Sequence, residues 1–150
     1  VLALLLTLAA ALPVGVAEVR SVVVQVETAH RQGRLKEEHR VMSPGSIWPD
    51  DTTCDRWRNA SGTVRRLTYA GGTSDSFTTL AQTYDAAGKL RFAFWRGGAV
   101  NQARKEIRLY FDPAGRQLQR LAQETGPGYP FSDPAELLIF SASAAALAPC

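Results

Sequence analysis

From Glu18 to Gln32, apolar positions recur at Val19, Val22, Val23, Val26, Ala29 and His30, three and four residues apart. That spacing defines one helical face and predicts a helix, with Gly33 as its stop. The run Val22-Val23-Val24 pulls the other way, because adjacent β-branched residues favour a strand. Arg34 to Met42 then reads as a polar edge strand, and Ser43 to Thr53, with Pro44, Gly45 and Pro49, as a loop.

From Cys54 onward the rhythm is strand and turn. Asp55–Arg58 and Thr63–Ala70 flank Asn59-Ala60-Ser61-Gly62, and Gly71–Asp75 forms a further loop. Two hairpins then share one signature. Asp85-Ala86-Ala87-Gly88 joins Phe77–Tyr84 to Lys89–Arg96, and Asp112-Pro113-Ala114-Gly115 joins Ala103–Phe111 to Arg116–Leu121. In a type I turn the leading Asp bonds the turn backbone, and the closing glycine accepts positive φ and makes a bulge that restores strand pairing. The two signatures lie twenty-seven residues apart, a two-copy repeat.

Period-two alternation assigns faces to these strands. Leu90, Phe92 and Phe94 are expected on the core side of one strand, and Ile107, Leu109 and Phe111 on the core side of another. Arg91, Trp95, Arg104, Arg108 and Tyr110 then look outward together, with Glu106 the only acid among them. Near the end of the chain, Ser132 or Asp133 followed by Pro134-Ala135-Glu136 is a helix start, and the alanine-rich run to Leu147 continues a C-terminal helix that ends at Pro149. The expected fold is thus α+β: an N-terminal helix, an antiparallel meander of about five or six strands, and a C-terminal helix.

The 150 residues suit one domain, and 45% hydrophobic against 21% charged residues is a globular balance. Val1 to Ala17 carries no charge, runs apolar from Leu2 to Leu12, and ends Gly15-Val16-Ala17. It reads as an export signal, with residues 18–150 as the exported domain, secreted or periplasmic and without a stable membrane span once the signal is cleaved. In an exported chain the lone pair Cys54 and Cys150 reads as a disulfide.

The strand Leu90–Trp95, the segment Glu106-Ile107-Arg108-Leu109-Tyr110-Phe111-Asp112 and the following Gly115-Arg116-Gln117-Leu118 together resemble a loose group of uncharacterised exported bacterial proteins. These proteins carry paired Asp-x-x-Gly hairpins. The resemblance covers residues 18–122 and implies the hairpin fold and export. It supplies no active-site residues.

Charge and motif content narrow the chemistry. The net charge is +3, and Lys89 to Arg120 is rich in basic residues whereas Leu121 to Cys150 holds acids only. There is no Gly-x-Ser-x-Gly elbow, no His-Glu-x-x-His and no phosphate-cradling glycine loop. Asp50, Asp51 and Asp55 lack the spacing of a calcium loop. No metal or cofactor is therefore expected. The reading is a non-catalytic binding protein whose Arg91, Trp95, Arg104, Arg108 and Tyr110 face contacts an anionic envelope polymer or acidic protein; export disfavours nucleic acid. The alternative is a small exported hydrolase using His39 with Asp50, Asp51 or Asp55.

Overall fold

A computed structural model describes residues 11–42 and 51–150. Most of the expected export segment, most of the Ser43–Thr53 loop and the candidate acid Asp50 lie outside the described residues. The elements are helix α1 (Val16–Arg31), strands β1 (Lys36–Val41), β2 (Thr53–Arg58), β3 (Val64–Gly72), β4 (Ser76–Tyr84), β5 (Leu90–Ala99), β6 (Arg104–Phe111) and β7 (Gln117–Thr125), a 3-10 turn at Pro134–Leu137, and helix α2 (Ala142–Leu147). The strands lie side by side in chain order, each antiparallel to the next, in one seven-stranded sheet. The α+β meander is as expected. It has seven strands rather than about five or six, because every segment read as a strand, down to the short Asp55–Arg58 and the polar edge at β1, pairs with its neighbour.

The hairpin signature occurs three times, once more than the pattern of aspartates showed. Asn59–Gly62 is the additional copy, with Asn in the place of Asp. In all three turns the glycine lies at positive φ: 84° at Gly62, 79° at Gly88 and 84° at Gly115. The glycine N–H donates to the carbonyl of the first turn residue at 2.9 to 3.0 Å. The side-chain oxygen of Asn59, Asp85 or Asp112 accepts from the N–H that follows the glycine, at 2.9 Å each time. Three residues past each glycine the register slips by one, at Arg65, Arg91 and Leu118. The first two of these extra residues also repeat a contact. Arg65 Nε donates to the carbonyl of Tyr84 at 3.1 Å, and Arg91 Nε to that of Phe111 at 3.0 Å, so each bulge clips its hairpin to the strand that precedes the next turn.

Cross-strand registers sort the sheet into rows. One row on the helix side runs Trp57, Arg66, Thr83, Phe92, Tyr110, Gln119. Helix α1 lies along it: Val16 and Val19 pack on Tyr110, Phe92 and Leu118, while Val26 and Ala29 pack with Leu35 and Trp57. His30 stacks on Trp57 with ring centroids 3.7 Å apart, and Glu27 reaches Arg66. This stripe explains why Val22–Val24 are helical. Burying a valine stabilises by about 1.5–2 kcal/mol, whereas its helix penalty is below about 0.7 kcal/mol. Val16 is fully buried in the first helical turn, so the boundary read after Ala17 falls inside α1. Among the described residues no helix is long and apolar enough to cross a membrane.

The other side of the sheet carries the main core, including Leu67, Leu80, Tyr84, Leu90, Trp95, Ile107 and Leu109. It is closed by residues 131–150, which form a strap rather than the expected continuous helix. Asp133 caps the 3-10 turn by accepting from Ala135 N–H, but helical geometry stops at Leu138. Sheet side chains hold the backbone extended there. Gln82 Oε1 accepts from Ile139 N–H at 2.7 Å, Tyr84 O–H donates to Ile139 carbonyl at 2.8 Å, and Leu90 N–H donates to Phe140 carbonyl at 3.0 Å. Ser141 then caps α2. Arg56, buried among apolar neighbours, donates to the carbonyls of Ala145 and Ala148 at the end of that helix. Tyr69 O–H reaches Pro149 carbonyl, and the Cys54–Cys150 disulfide, with Cα atoms 5.4 Å apart, fastens the last residue to β2.

Candidate functional site

The bulge at Arg91 decides which residues of β5 face outward. Leu90 lies on the strap side, the slip places both Arg91 and Phe92 on the helix side, and Ala93 and Trp95 return to the core. The expected grouping of Leu90 with Phe92 and Phe94 is therefore corrected: Phe92 and Phe94 sit opposite Leu90.

The five sequence-selected residues separate accordingly. Arg91 is only 3% exposed beneath the start of α1, where it meets Asp85 and Glu18, each at 3.2 Å. Trp95 points to the strap and packs edge-on against Phe131, with centroids 5.4 Å apart. Tyr110 is covered by Val16 and Val19. These three share no exposed surface. Arg104 and Arg108 do remain accessible on the helix side, further along β6 than the row that α1 covers.

There they join residues that the parity error had hidden. The rows not covered by the helix carry Phe94 opposite Arg108, Arg96 opposite Glu106, and Gly98 opposite Arg104, with exposed Phe77 opposite Gly98 on the next strand. Arg108 lies over the Phe94 ring, its guanidinium carbon 4.6 Å from the centroid, and Arg96 approaches the same ring at 5.6 Å. Glu106 serves both, at 3.4 Å from Arg96 and 3.0 Å from Arg108. Arg104 pairs with no carboxylate among the described residues. It donates to the carbonyls of Ala99 and Ala103 and lies flat over Gly98, where an added Cβ would come 3.1 Å from its guanidinium nitrogen. The glycine lets the arginine rest against bare backbone. Toward β3 the same face continues as small, half-buried Thr68, Ala70 and Thr79. The result is a shallow face of three arginines, one acid and two phenylalanines. Guanidinium planes held over aromatic rings keep their edges free for carboxylate or phosphate oxygens. The sequence signal for this arrangement was the bulge that the Asp85–Gly88 turn implies; carried through, it moves Phe94 and Arg96 outward.

The strap side has a cleft of its own. A cavity of about 390 Å³ lies between Gly71, Thr73, Ser76 and Thr78 on the sheet and Phe131, Asp133 and Glu136 on the strap. Tyr129 donates to Asp75 at its rim, and that bond with the one from Thr73 holds the Asp75 carboxyl below the usual carboxylate range.

Of the residues of the hydrolase alternative, His39 and Asp55 come together, and Asp50 lies outside the described residues. His39 Nδ1 meets Asp55 at 2.6 Å as an exposed cross-strand pair, and Asp51 is an exposed turn residue. Among the described residues no three His, Cys, Asp or Glu side chains are placed to hold a metal ion. Compared with known proteins, the chain matches no family, no curated protein and no solved structure.

Proposed function

We propose that the chain is a non-catalytic binding module of the secreted or periplasmic space, and that the open half of its helix-side face engages an anionic polymer. The observation that carries this reading is the imbalance at that face: among the described residues Arg96 and Arg108 share one carboxylate, Glu106, and Arg104 meets only backbone carbonyls. Exposed arginines gain little stability from one another in water, so folding does not account for their collection on one surface. Arg104 and Arg108 lie four residues apart on β6, so they present cations roughly 13–14 Å apart with Glu106 between them, a spacing that a repeating anion can match. Export is supported by the apolar Val1–Ala17 segment and by the Cys54–Cys150 disulfide.

Immobilised polygalacturonate and polyphosphate, with dextran as the neutral control, provide the test. The protein is expected to bind one or both polyanions, to ignore dextran, and to release as salt rises because screening shortens the reach of these charges. Arg104→Glu with Arg108→Glu is expected to abolish binding. Equal retention on dextran, or undiminished polyanion binding by the double variant, overturns the reading. Retention of an acidic protein with no retention on either polyanion would move the partner to that class.

A further inference from the structure

The sheet ends in two edges of different character. β1 carries Lys36, Glu37, Glu38, His39 and Arg40 in succession, all but the half-buried Glu38 exposed, a charged edge of the kind that discourages pairing with another chain. β7 is nine residues long, exposed along most of its length, and carries only two charges, Arg120 and Glu124. Among the described residues no backbone group outside β6 pairs with it. The chain leaves β7 by turning inward: Gly128 carbonyl accepts from Asn101, and Tyr129 reaches Asp75 near the β3–β4 turn. Nothing in the exit path crosses the outer edge.

We propose that β7 is a self-association edge, and that two copies of this chain pair β7 to β7, antiparallel, about a two-fold axis at Ala122. The strand's own charge order specifies this partner. Arg120 and Glu124 lie two residues either side of Ala122, and both point to the strap side, as do Ala122 and its neighbour Ile107; within the chain they meet Asp133 at 3.8 Å and Lys105 at 2.9 Å, surface pairs worth about 0–1 kcal/mol that leave both side chains able to meet a second copy. In the register centred on Ala122, Arg120 of each copy stands directly opposite Glu124 of the other. Directly opposed side chains are the pairs that matter across antiparallel strands, attractive for opposite charges and repulsive for like ones. On the helix side the same register sets Leu121, which is 40% exposed, opposite Gln123. An isologous two-fold contact closes at two copies, so the pairing gives a dimer and not a filament. It would also place the Arg104 and Arg108 faces of two copies on one continuous sheet surface, although the pairing does not depend on what that surface binds.

Sedimentation velocity of the chain over a range of concentrations, with three single variants, tests the proposal. The unmodified chain is expected to form a concentration-dependent dimer. Arg120→Glu alone sets Glu against Glu twice, and Glu124→Arg alone sets Arg against Arg twice; each should weaken self-association on the order of tenfold or more. An equimolar mixture of these two variants should recover the dimer, because every opposed pair is then Glu with Arg. Recovery on mixing also shows that both variants fold. Arg40→Glu at the other edge should leave the dimer unchanged. A chain that stays monomeric at all concentrations, a dimer indifferent to both β7 variants, a mixture that remains monomeric, or a dimer lost in Arg40→Glu each overturns it.

Discussion

On the strap side of the sheet, polar groups that enter the core are taken up by the closing segment: Arg56, Tyr69, Gln82 and Tyr84 all bond backbone carbonyls or amides between Ile139 and Pro149. On the helix side, α1 covers one row, and Arg96 and Arg108 beyond it share Glu106 at the surface. The difference lies in how each cover is held. The helix is self-sufficient in backbone bonds and needs only an apolar stripe. The strap, extended over Leu138–Phe140, must borrow its partners from the sheet, because a buried backbone group left unpaired costs about 1–3 kcal/mol. One face is therefore locked by polar bonds and a disulfide, and the other is free to be used.

Breaking the lock at its end should have the largest effect. Cys54→Ser with Cys150→Ser releases a constraint spanning 96 residues. The chain-entropy argument puts the loss at about 4–5 kcal/mol, read by urea denaturation. Polyanion binding by the folded fraction should survive, since it belongs to the other face. Arg56→Met comes next. It removes the donors to Ala145 and Ala148 while keeping much of the volume, and should cost about 2–3 kcal/mol. Burial pushes the Arg56 pKa down and among the described residues no carboxylate bonds it, so the residue is worth its hydrogen bonds rather than an ion pair.

The turn glycines give a finer contrast. Gly88 and Gly115 occupy equivalent turns, yet only Gly88 touches the strap backbone, its carbonyl accepting from Ala142 N–H at 2.8 Å. A Cβ at Gly88 would come 3.2 Å from Ala142 Cβ, whereas one at Gly115 meets only Phe140 at 3.7 Å. Both substitutions to Val force a β-branched residue to positive φ, for about 1–2 kcal/mol. Gly88→Val should cost measurably more than Gly115→Val by thermal melting. Equal losses would mean that the strap yields at α2.

These elements also show what the sequence made legible. Each of the seven strands corresponds to a segment visible from alternation and turn residues, because local turn chemistry fixes a meander without long crossovers. The disulfide pairing was legible from the cysteine count. The face of β5 was not. A bulge three residues past a turn glycine inverts the parity of all that follows on its strand, so Trp95 and Phe94 exchanged sides, while Arg91 and Tyr110 kept theirs and are covered there by α1. Arg104 and Arg108 kept their side because β6 carries no extra residue, the slip at Tyr110/Phe111 being taken up by Leu118 on β7. The strap was hidden for another reason. Ile139 is extended because of Gln82 and Tyr84, over fifty residues away in the chain, and no local pattern encodes that.

Tyr84→Phe probes the lock more gently. It deletes the bond to Ile139 carbonyl and should cost about 1 kcal/mol. It also changes the pH response. Burial raises the Tyr84 pKa well above the ordinary tyrosine value, and Tyr69 adds to the rise. A group raised in the folded state contributes stability that is fully present below its unfolded pKa, about 10, and is lost as pH rises past it. Denaturation series on the alkaline side should therefore show stability falling above about pH 10, with a shallower fall in Tyr84→Phe. An unchanged slope would place the alkaline sensitivity at Tyr69 or elsewhere.

The smallest effect is expected on the open face, where smallness is itself the point. Arg108 is more than a third exposed, pairs with Glu106 and rests on Phe94. An exposed pair is worth about 0–1 kcal/mol, and a solvent-facing cation over a ring adds about 0.5–1 kcal/mol. Arg108→Gln should therefore shift stability by no more than about 1 kcal/mol. A double-mutant cycle with Glu106→Gln should give a coupling below that figure. On the binding side the two substitutions should act in opposite directions: Arg108→Gln weakens polyanion retention, and Glu106→Gln strengthens it by removing the one acid that competes for the guanidinium groups. A coupling above about 2 kcal/mol would make these arginines part of the fold's own support, like Arg56. The helix-side face would then be locked in the same way as the strap side, and its positive charge would no longer call for a partner.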